Sequence, residues 1–354
     1  MTLDRYILRL LLTRTIFAII VLISLVQVLE LLDVTSTLLG RHLGAAGIGR
    51  YSLLRLPGQF QQVASLGMLV GAIFTFTQLS RSSEMVVIRA TGANIYRVLW
   101  MMIPGALAVA AVDFVVAAEV SPRTQTELVR WMNATAPPAD AKQPKPHWFR
   151  LGKDLILVSK ASPDGLQLAD VRIYRRNNQR LLTEEIIAPT ASRTPVGWRL
   201  HQAQISVVGK DRATLSAPAE LDWDTSLSPG DITRLFRSDE LISSAAALRA
   251  IAGAGPTDRS PGFYQTRLYR TFAEPLGALV MLLLSAPAAL AGIRSDQAVR
   301  LFVFGLTAGI FFLVADGLLT AMGETSALPP LLAAWSAPVA FTALALTVLL
   351  WVEG

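Results

Sequence analysis

No cysteine occurs in the 354 residues, so the chain has neither a disulfide framework nor a thiolate metal site, and its redox compartment leaves no trace. Charge is sparse as well. Only 16% of residues are charged against 52% hydrophobic, and the mean hydropathy is +0.46. A soluble chain carries more charge, so membrane insertion is the first expectation. Histidine is confined to His42, His147 and His201, far apart in sequence, which suits surface or core positions. There is no G-x-x-x-x-G-K-[ST] phosphate loop, no H-E-x-x-H and no G-x-S-x-G; Gly209-Lys210 stands in a strand-like segment without the rest of such a loop. ATP hydrolysis by the chain itself is therefore not expected, no catalytic residues emerge and no metal site is predicted. The net charge of +6 does not read as nucleic-acid binding, because the basic residues are dispersed and no aromatic-basic platform accompanies them. Arginines at helix ends meeting anionic headgroups account for it.

Six apolar runs are present. The first, from Thr15 through Val28, follows a basic lead-in with Arg5, Arg9 and Arg14. It mimics a signal peptide, but it is long and no small-x-small cleavage site follows cleanly, so it reads as an uncleaved span. Residues 35–56 read as a short loop, and further spans are expected at Pro57–Leu79, Val98–Val120, Phe272–Ile293, Val299–Thr320 and Leu331–Val352. Between the third and fourth, the chain changes character for about 140 residues. A Pro-rich break at Pro137, Pro138, Pro144 and Pro146 precedes short alternating segments at 147–151, 154–160, 166–175, 180–187, 198–208 and 213–221. Turn residues such as Pro163-Asp164-Gly165 and Asn177-Asn178 separate them, which suggests a β-sandwich or jelly roll. Ser238–Ala252 reads as an amphipathic helix. The plan is three spans, a soluble β domain, then three spans. Arg5, Arg9, Arg14, Arg81, Arg89, Arg97, Arg294 and Arg300 fall on one side, so the positive-inside rule places both termini in the cytoplasm and the β domain outside it.

The stretch Ser80–Gly92 is too polar for lipid and too patterned for a plain linker. Ser82 or Ser83 can cap a helix, Glu84 falls in its first turn, and Gly92 ends it. A short capped helix with an outward carboxylate, held between two spans, suits receipt of force from a cytoplasmic partner. An ordinary solvated loop helix has the same pattern.

Carboxylates in the apolar runs need partners, because a charge at bilayer depth costs about 2.5–3.5 kcal/mol on insertion scales. Glu30, Asp33 and Glu274 lie near span ends and are expected to snorkel, whereas Asp113 and Asp316 lie within spans, where either protein or water must face them. Arg41, Arg50, Arg55, Arg123, Arg130, Arg267 and Arg270 lie near the outer ends of spans. Each suits headgroup anchoring; together they suit the rim of a cavity for a phosphorylated lipid, because the guanidinium fork pairs with phosphate. Gly67-x-x-x-Gly71 and Gly305-x-x-x-Gly309 are spacings that let helices approach closely.

The opening Leu3-Asp4-Arg5-Tyr6-Ile7, the segment Arg81-Ser82-Ser83-Glu84-Met85-Val86-Val87-Ile88-Arg89-Ala90-Thr91-Gly92, and Tyr264-Gln265 ahead of Glu274-Pro275-Leu276 resemble the LptF/LptG permease family. The start and the central segment resemble the LptG branch more than LptF, and the likeness covers essentially the whole chain. The resemblance implies an α+β membrane protein: six transmembrane helices, three plus three, with an inserted periplasmic β-jellyroll. Residues 1–120 would hold the first three spans and a coupling helix at about 81–92, residues 121–262 the periplasmic domain with flanking helices, and residues 263–354 the last three spans.

It further implies the transmembrane subunit of an ABC-type exporter in the Gram-negative inner membrane. Such a subunit extracts lipopolysaccharide and passes it toward LptC and the bridge protein LptA. It would pair with LptF and be driven by an LptB ATPase dimer, binding no cofactor itself, with ATP and Mg held by that partner. Arg81, Ser83, Glu84, Val87, Arg89 and Gly92 would couple to the ATPase. Arg41, Arg55, Arg130, Arg267 and Arg270 would rim the lipid phosphates. Leu25, Leu29, Gly67, Gly71, Phe74, Phe304, Phe311 and Phe312 would line the cavity or its lateral gates on the first and fifth spans. One departure stands out: some relatives carry a basic residue near the end of the first span, where this chain has Glu30. The alternatives are the sibling LptF subunit and a non-transporting membrane scaffold for the β domain. An intramembrane hydrolase would need a facing nucleophile and base, and none is visible.

Overall fold

The computed structural model describes residues 3–82, 84, 95–135, 146–162, 164–179, 181–195, 197–208, 213–236, 244–253, 255–287 and 295–353. In chain order the helices are α1 (Leu3–Gly40), α2 (Gly44–Arg81), α3 (Ile95–Val115), α4 (Ser121–Ala134), α5 (Pro229–Phe236), α6 (Ser244–Ile251), α7 (Pro261–Ala273), α8 (Gly277–Ser285), α9 (Ser295–Glu324) and α10 (Pro330–Glu353). A π-helical segment, Val116–Val120, joins α3 to α4, and a 3₁₀ turn, Glu274–Leu276, joins α7 to α8. Eight strands lie between α4 and α5: β1 (His147–Leu151), β2 (Asp154–Ala161), β3 (Gln167–Arg176), β4 (Leu182–Arg193), β5 (Trp198–His201), β6 (Gln204–Val208), β7 (Ala213–Ser216) and β8 (Glu220–Trp223). The chain divides into two compact units, Met1–Leu128 with Thr266–Gly354, and Val129–Gln265.

Six stretches of the described residues are long and apolar enough to cross a membrane: Leu3–Gly40, Gly44–Ser80, Ile95–Met132, Pro261–Ser285, Val303–Glu324 and Pro330–Trp351. With the inserted antiparallel sheet, this is an α+β membrane protein. The helices overrun the apolar runs. Residues 35–56, expected as a loop, are helical except for a tight turn at Arg41–Leu43. Nothing before Gly40 breaks the helix; the chain reverses where His42 (φ 57°) and Gly44 (φ 58°) take left-handed backbone conformations. Pro57, expected to open the second span, lies inside α2, where it forgoes one intrahelical hydrogen bond without ending the helix. The fourth span begins earlier than expected, at Pro261, and buried Pro275 sits at the 3₁₀ turn within it. Residues 288–293 of that expected span lie outside the described residues.

Helix α2 is the hub of the helical unit: 61% of its apolar window is buried, against 17% for α1 and for the fifth span on α9. Met68, Leu69, Ala72, Ile73 and Phe76 of α2 are fully buried with Leu11 of α1, Met102 of α3 and Met281 of α8. Small residues make this approach possible. A Cβ on Gly71 would stand 2.5 Å from Thr15 Cα, and one on Gly67 would stand 2.3 Å from Ile19 Cγ1, so both glycines seat α1 directly on α2. On α9, a Cβ on Gly309 would collide with Leu69 at 2.2 Å. One G-x-x-x-G spacing therefore lies on the central helix and receives α1, while the other, on α9, packs against that same helix.

The β unit is one antiparallel sheet in the order β1-β2-β3-β4-β5-β8, branching at β4. Thr190–Arg193 of β4 pair with β5, while Glu184–Ile187 pair with β6, which in turn carries β7. The segments expected at 198–208 and 213–221 are thus two strands each. Gln202, at φ 52°, marks the first break. Inward residues of β1 to β5, among them Phe149, Ile156, Val158, Ile173, Ile186 and Trp198, form a buried core with Ile232 and Leu235 of α5. Full burial of each such aliphatic or aromatic side chain is worth about 1.5–3 kcal/mol. Of the expected helix at 238–252, Ser244–Ile251 forms α6, and residues 238–243 lie outside the described residues.

Candidate functional site

At one end of the helical unit, where α1 starts and α2 stops, the Tyr6 hydroxyl donates to Glu84 Oε1 at 3.2 Å. The ring of Tyr6 packs on the core beside buried Ile7 and Leu11, while Glu84 is half-buried. Ser82 closes α2: its backbone N–H and its hydroxyl both donate to Gln78 O at 2.9 Å. Glu84, expected to point outward, is thus engaged by its own first helix. Ser83, Val87, Arg89 and Gly92, and with them the expected helix body, lie outside the described residues, as does the side chain of Arg81.

Toward the other end, α1 and α2 are joined by polar contacts. Arg55 Nη2 and Gln59 Nε2 both donate to the Glu30 carboxylate, and Gln27 Nε2 donates to Ser52 Oγ at 2.8 Å. Gln59 is almost wholly buried. Glu30 was expected to snorkel and Arg55 to face lipid phosphate; the two are instead paired, because a carboxylate against α2 is stabilised by the nearest guanidinium. Arg50 similarly pairs with Glu127 at 2.8 Å. Arg41 lies in the turn between α1 and α2, half-buried.

A second ion cluster joins α7 to α9. Arg270 Nη1 donates to Asp316 Oδ2 at 2.7 Å and to Thr320 Oγ1, and Arg270 lies 3.7 Å from Glu274. With Arg270 13% and Asp316 18% exposed, the pair is shielded. Asp316 thus has its partner in the protein. Arg270, expected at the lipid rim, is committed to carboxylates, and Glu274, expected to snorkel, joins it. Arg267 is half-buried on the same helix, and Arg130 is exposed on α4 in the other unit. Asp113 is 4% exposed, and its Oδ1 has no hydrogen-bond partner among the described residues.

Leu25, Leu29, Phe74, Phe304 and Phe311 are all exposed and apolar, a surface suited to acyl chains or to another subunit. Phe312, expected at the cavity or gate, is instead buried at 3% exposure, edge-on to Phe341 with ring centroids 5.3 Å apart. It turns inward because α9 needs an apolar anchor against α10. Gly67 and Gly71 are helix contacts. An apolar groove of about 530 Å³ also runs between α3, α8 and α10, lined among others by Ile103, Leu279, Leu283, Trp335 and Val339.

One constellation had no sequence signal, because it is assembled across strands. Ser192 Oγ lies 2.9 Å from His201 Nε2, and His201 Nδ1 lies 3.7 Å from Glu220. It does not make a hydrolase. Ser192 lies near the end of β4, paired with Gln167 of β3 and Arg199 of β5, so its backbone belongs to the sheet ladder and not to an oxyanion hole. Glu220 is also exposed and shared with Arg199 at 3.6 Å. His147 stacks edge-on against Phe236 with centroids 4.6 Å apart, and burial there pushes its imidazole below the ordinary value of 6.5.

Residues 5–351 match the family described as lipopolysaccharide export system permease LptF/LptG. The chain is 23% identical over 353 residues to the lipopolysaccharide export system permease protein LptG of Escherichia coli strain K12, covering 98% of each chain. It is 22% identical over 337 residues to LptG of Haemophilus influenzae, covering 92% of this chain and 90% of the relative. With its six apolar helices, inserted β-sheet and near full-length match, the chain belongs to the LptF/LptG family of lipopolysaccharide export permeases.

Proposed function

We propose that this chain is the LptG-type subunit of an ABC exporter, extracting lipopolysaccharide from the inner membrane and passing it toward LptC and the LptA bridge. In this reading it pairs with an LptF subunit around a shared cavity. An LptB dimer holds ATP and Mg, and the chain hydrolyses nothing. Both termini and the 81–92 segment face the cytoplasm, and the β domain within residues 121–262 faces the periplasm, as the arginine distribution favours. Spans from 1–120 and 263–354 together wall the cavity.

The observation that carries the reading is the uneven burial of the spans. The first and fifth are each only 17% buried in their apolar windows and present Leu25, Leu29, Phe304 and Phe311 outward. Faces of that extent need lipid chains or a second subunit against them. ATP-driven closure of the partner dimer would press the Glu84 segments together, collapse the cavity and expel lipid. Arg41, Arg130 and Arg267 would contribute to the anionic headgroup rim. The test is purification from detergent followed by reconstitution. The chain should travel with an ATPase and a second six-span subunit, and ATP should release lipopolysaccharide from the vesicles. Isolation without an ATPase, with no ATP-dependent release, would instead favour the scaffold reading.

A further inference from the structure

Glu84 follows the last residue of α2 by three positions and so is joined to that helix by the chain itself. Helix α1, by contrast, is reached through space, by the Tyr6 hydroxyl 78 positions earlier. We infer that Tyr6 is a positioning residue, a strut that delivers displacement of Glu84 straight to the first span; this rests on the reading of Glu84 as the coupling carboxylate.

The geometry supports a strut for three reasons. Tyr6 is anchored, because its ring packs on the core beside fully buried Ile7 and Leu11. Its hydroxyl is directed at the Glu84 carboxylate, 3.2 Å away. The rod it loads is stiff, because α1 is an unbroken helix of 38 residues. From Tyr6 to Leu25 the helix rises about 28 Å, so motion at its foot reaches the exposed face of Ile20, Leu25, Leu29 and Leu32. Along the way, Thr15 and Ile19 rest on Gly71 and Gly67, close contacts that guide α1 along α2. A hydrogen bond that merely satisfied two polar groups at the membrane edge would affect stability but not the lipid moved per ATP.

The assay uses the assembled complex, with its ATPase and second permease subunit, in vesicles loaded with lipopolysaccharide. Lipid released per ATP hydrolysed is compared for wild type, Tyr6→Phe, Glu84→Ala and the double variant. Tyr6→Phe keeps the packed ring and should lower the ratio about five-fold, the factor equivalent to one net hydrogen bond. In the Glu84→Ala background the same change should do nothing more. If Glu84→Ala alters neither ATPase nor transport, the coupling reading itself fails. If Glu84→Ala abolishes transport while Tyr6→Phe keeps the wild-type ratio, only the strut is overturned. A second readout covers poor yield of any variant. This chain has no cysteine, so with any partner cysteines replaced, spin labels on Leu25→Cys and Leu344→Cys report the distance from α1 to α10. Vanadate-trapped nucleotide should shift that distance in the parent and not with Tyr6→Phe. An equal shift in both would overturn the proposal.

Discussion

Arg270 on α7 and Asp316 on α9 face each other at 2.7 Å inside the helical unit, each at least four-fifths shielded. Neither belongs in hydrocarbon alone, and each makes the other tolerable. Removing one partner strands the other, so Arg270→Ala should destabilise the protein by about 3 kcal/mol. The double variant Arg270→Met with Asp316→Leu should recover most of that loss. Thermal melting in detergent measures both, and a double variant as unstable as the single one would argue against the pair.

Gly71 predicts a strong steric effect. Its Cβ would meet Thr15 Cα at 2.5 Å, backbone that cannot swing aside, so Gly71→Ala should force α1 off α2 and cost about 1–3 kcal/mol. Gly49→Ala meets nothing within 4 Å and should leave the melting point within error or raise it slightly through helix propensity. Comparable losses at both sites would remove the close-packing argument.

The Glu30 contact predicts dependence between two helices. Arg55→Ala leaves the Glu30 carboxylate with Gln59 as its donor, while Glu30→Gln removes the charge and keeps an acceptor. Arg55→Ala should therefore be the more damaging, by about 1–2 kcal/mol, and adding Glu30→Gln to it should restore part of the loss. Simple additivity of the two changes would show that the contact contributes nothing.

His147 makes the β unit sensitive to acid. Burial against Phe236 favours the neutral imidazole, so its folded value lies below 6.5. Stability from this site is fully present above the unfolded value and is lost as pH falls through it toward the lower folded value. Melting of the β unit, followed on the full chain, should fall between pH 7.5 and 5.5 by more in wild type than in His147→Phe. Equal falls would place the acid sensitivity elsewhere.

Much of this architecture was legible because apolar runs and strand alternation are local signals. His147–Leu151 forms a strand with the bounds its pattern predicts. The helix at Pro229–Phe236 carries a local signal of its own, Ser228-Pro229-Gly230-Asp231. Ser228 Oγ accepts from the Asp231 amide at 3.1 Å and the Ser228 amide donates to the Asp231 carboxylate at 3.3 Å, a capping box with proline at the first turn. The break at Gln202 carries no such signal, because only its φ of 52° separates β5 from β6. In the ion clusters, sequence shows that Asp316 needs a partner but not which one, since Arg270 is 46 positions away. The inward turn of Phe312 likewise follows from α10 packing and not from its own neighbours.

The central claim is that an ATPase moves this subunit by way of the segment that begins at Glu84. Placing a photoreactive amino acid at position 84 of the full complex in its native membrane tests that contact directly. Illumination should join the chain to the ATPase subunit, with a yield that changes when nucleotide is trapped. An assembled, active complex in which position 84 forms no adduct with that subunit would contradict the account.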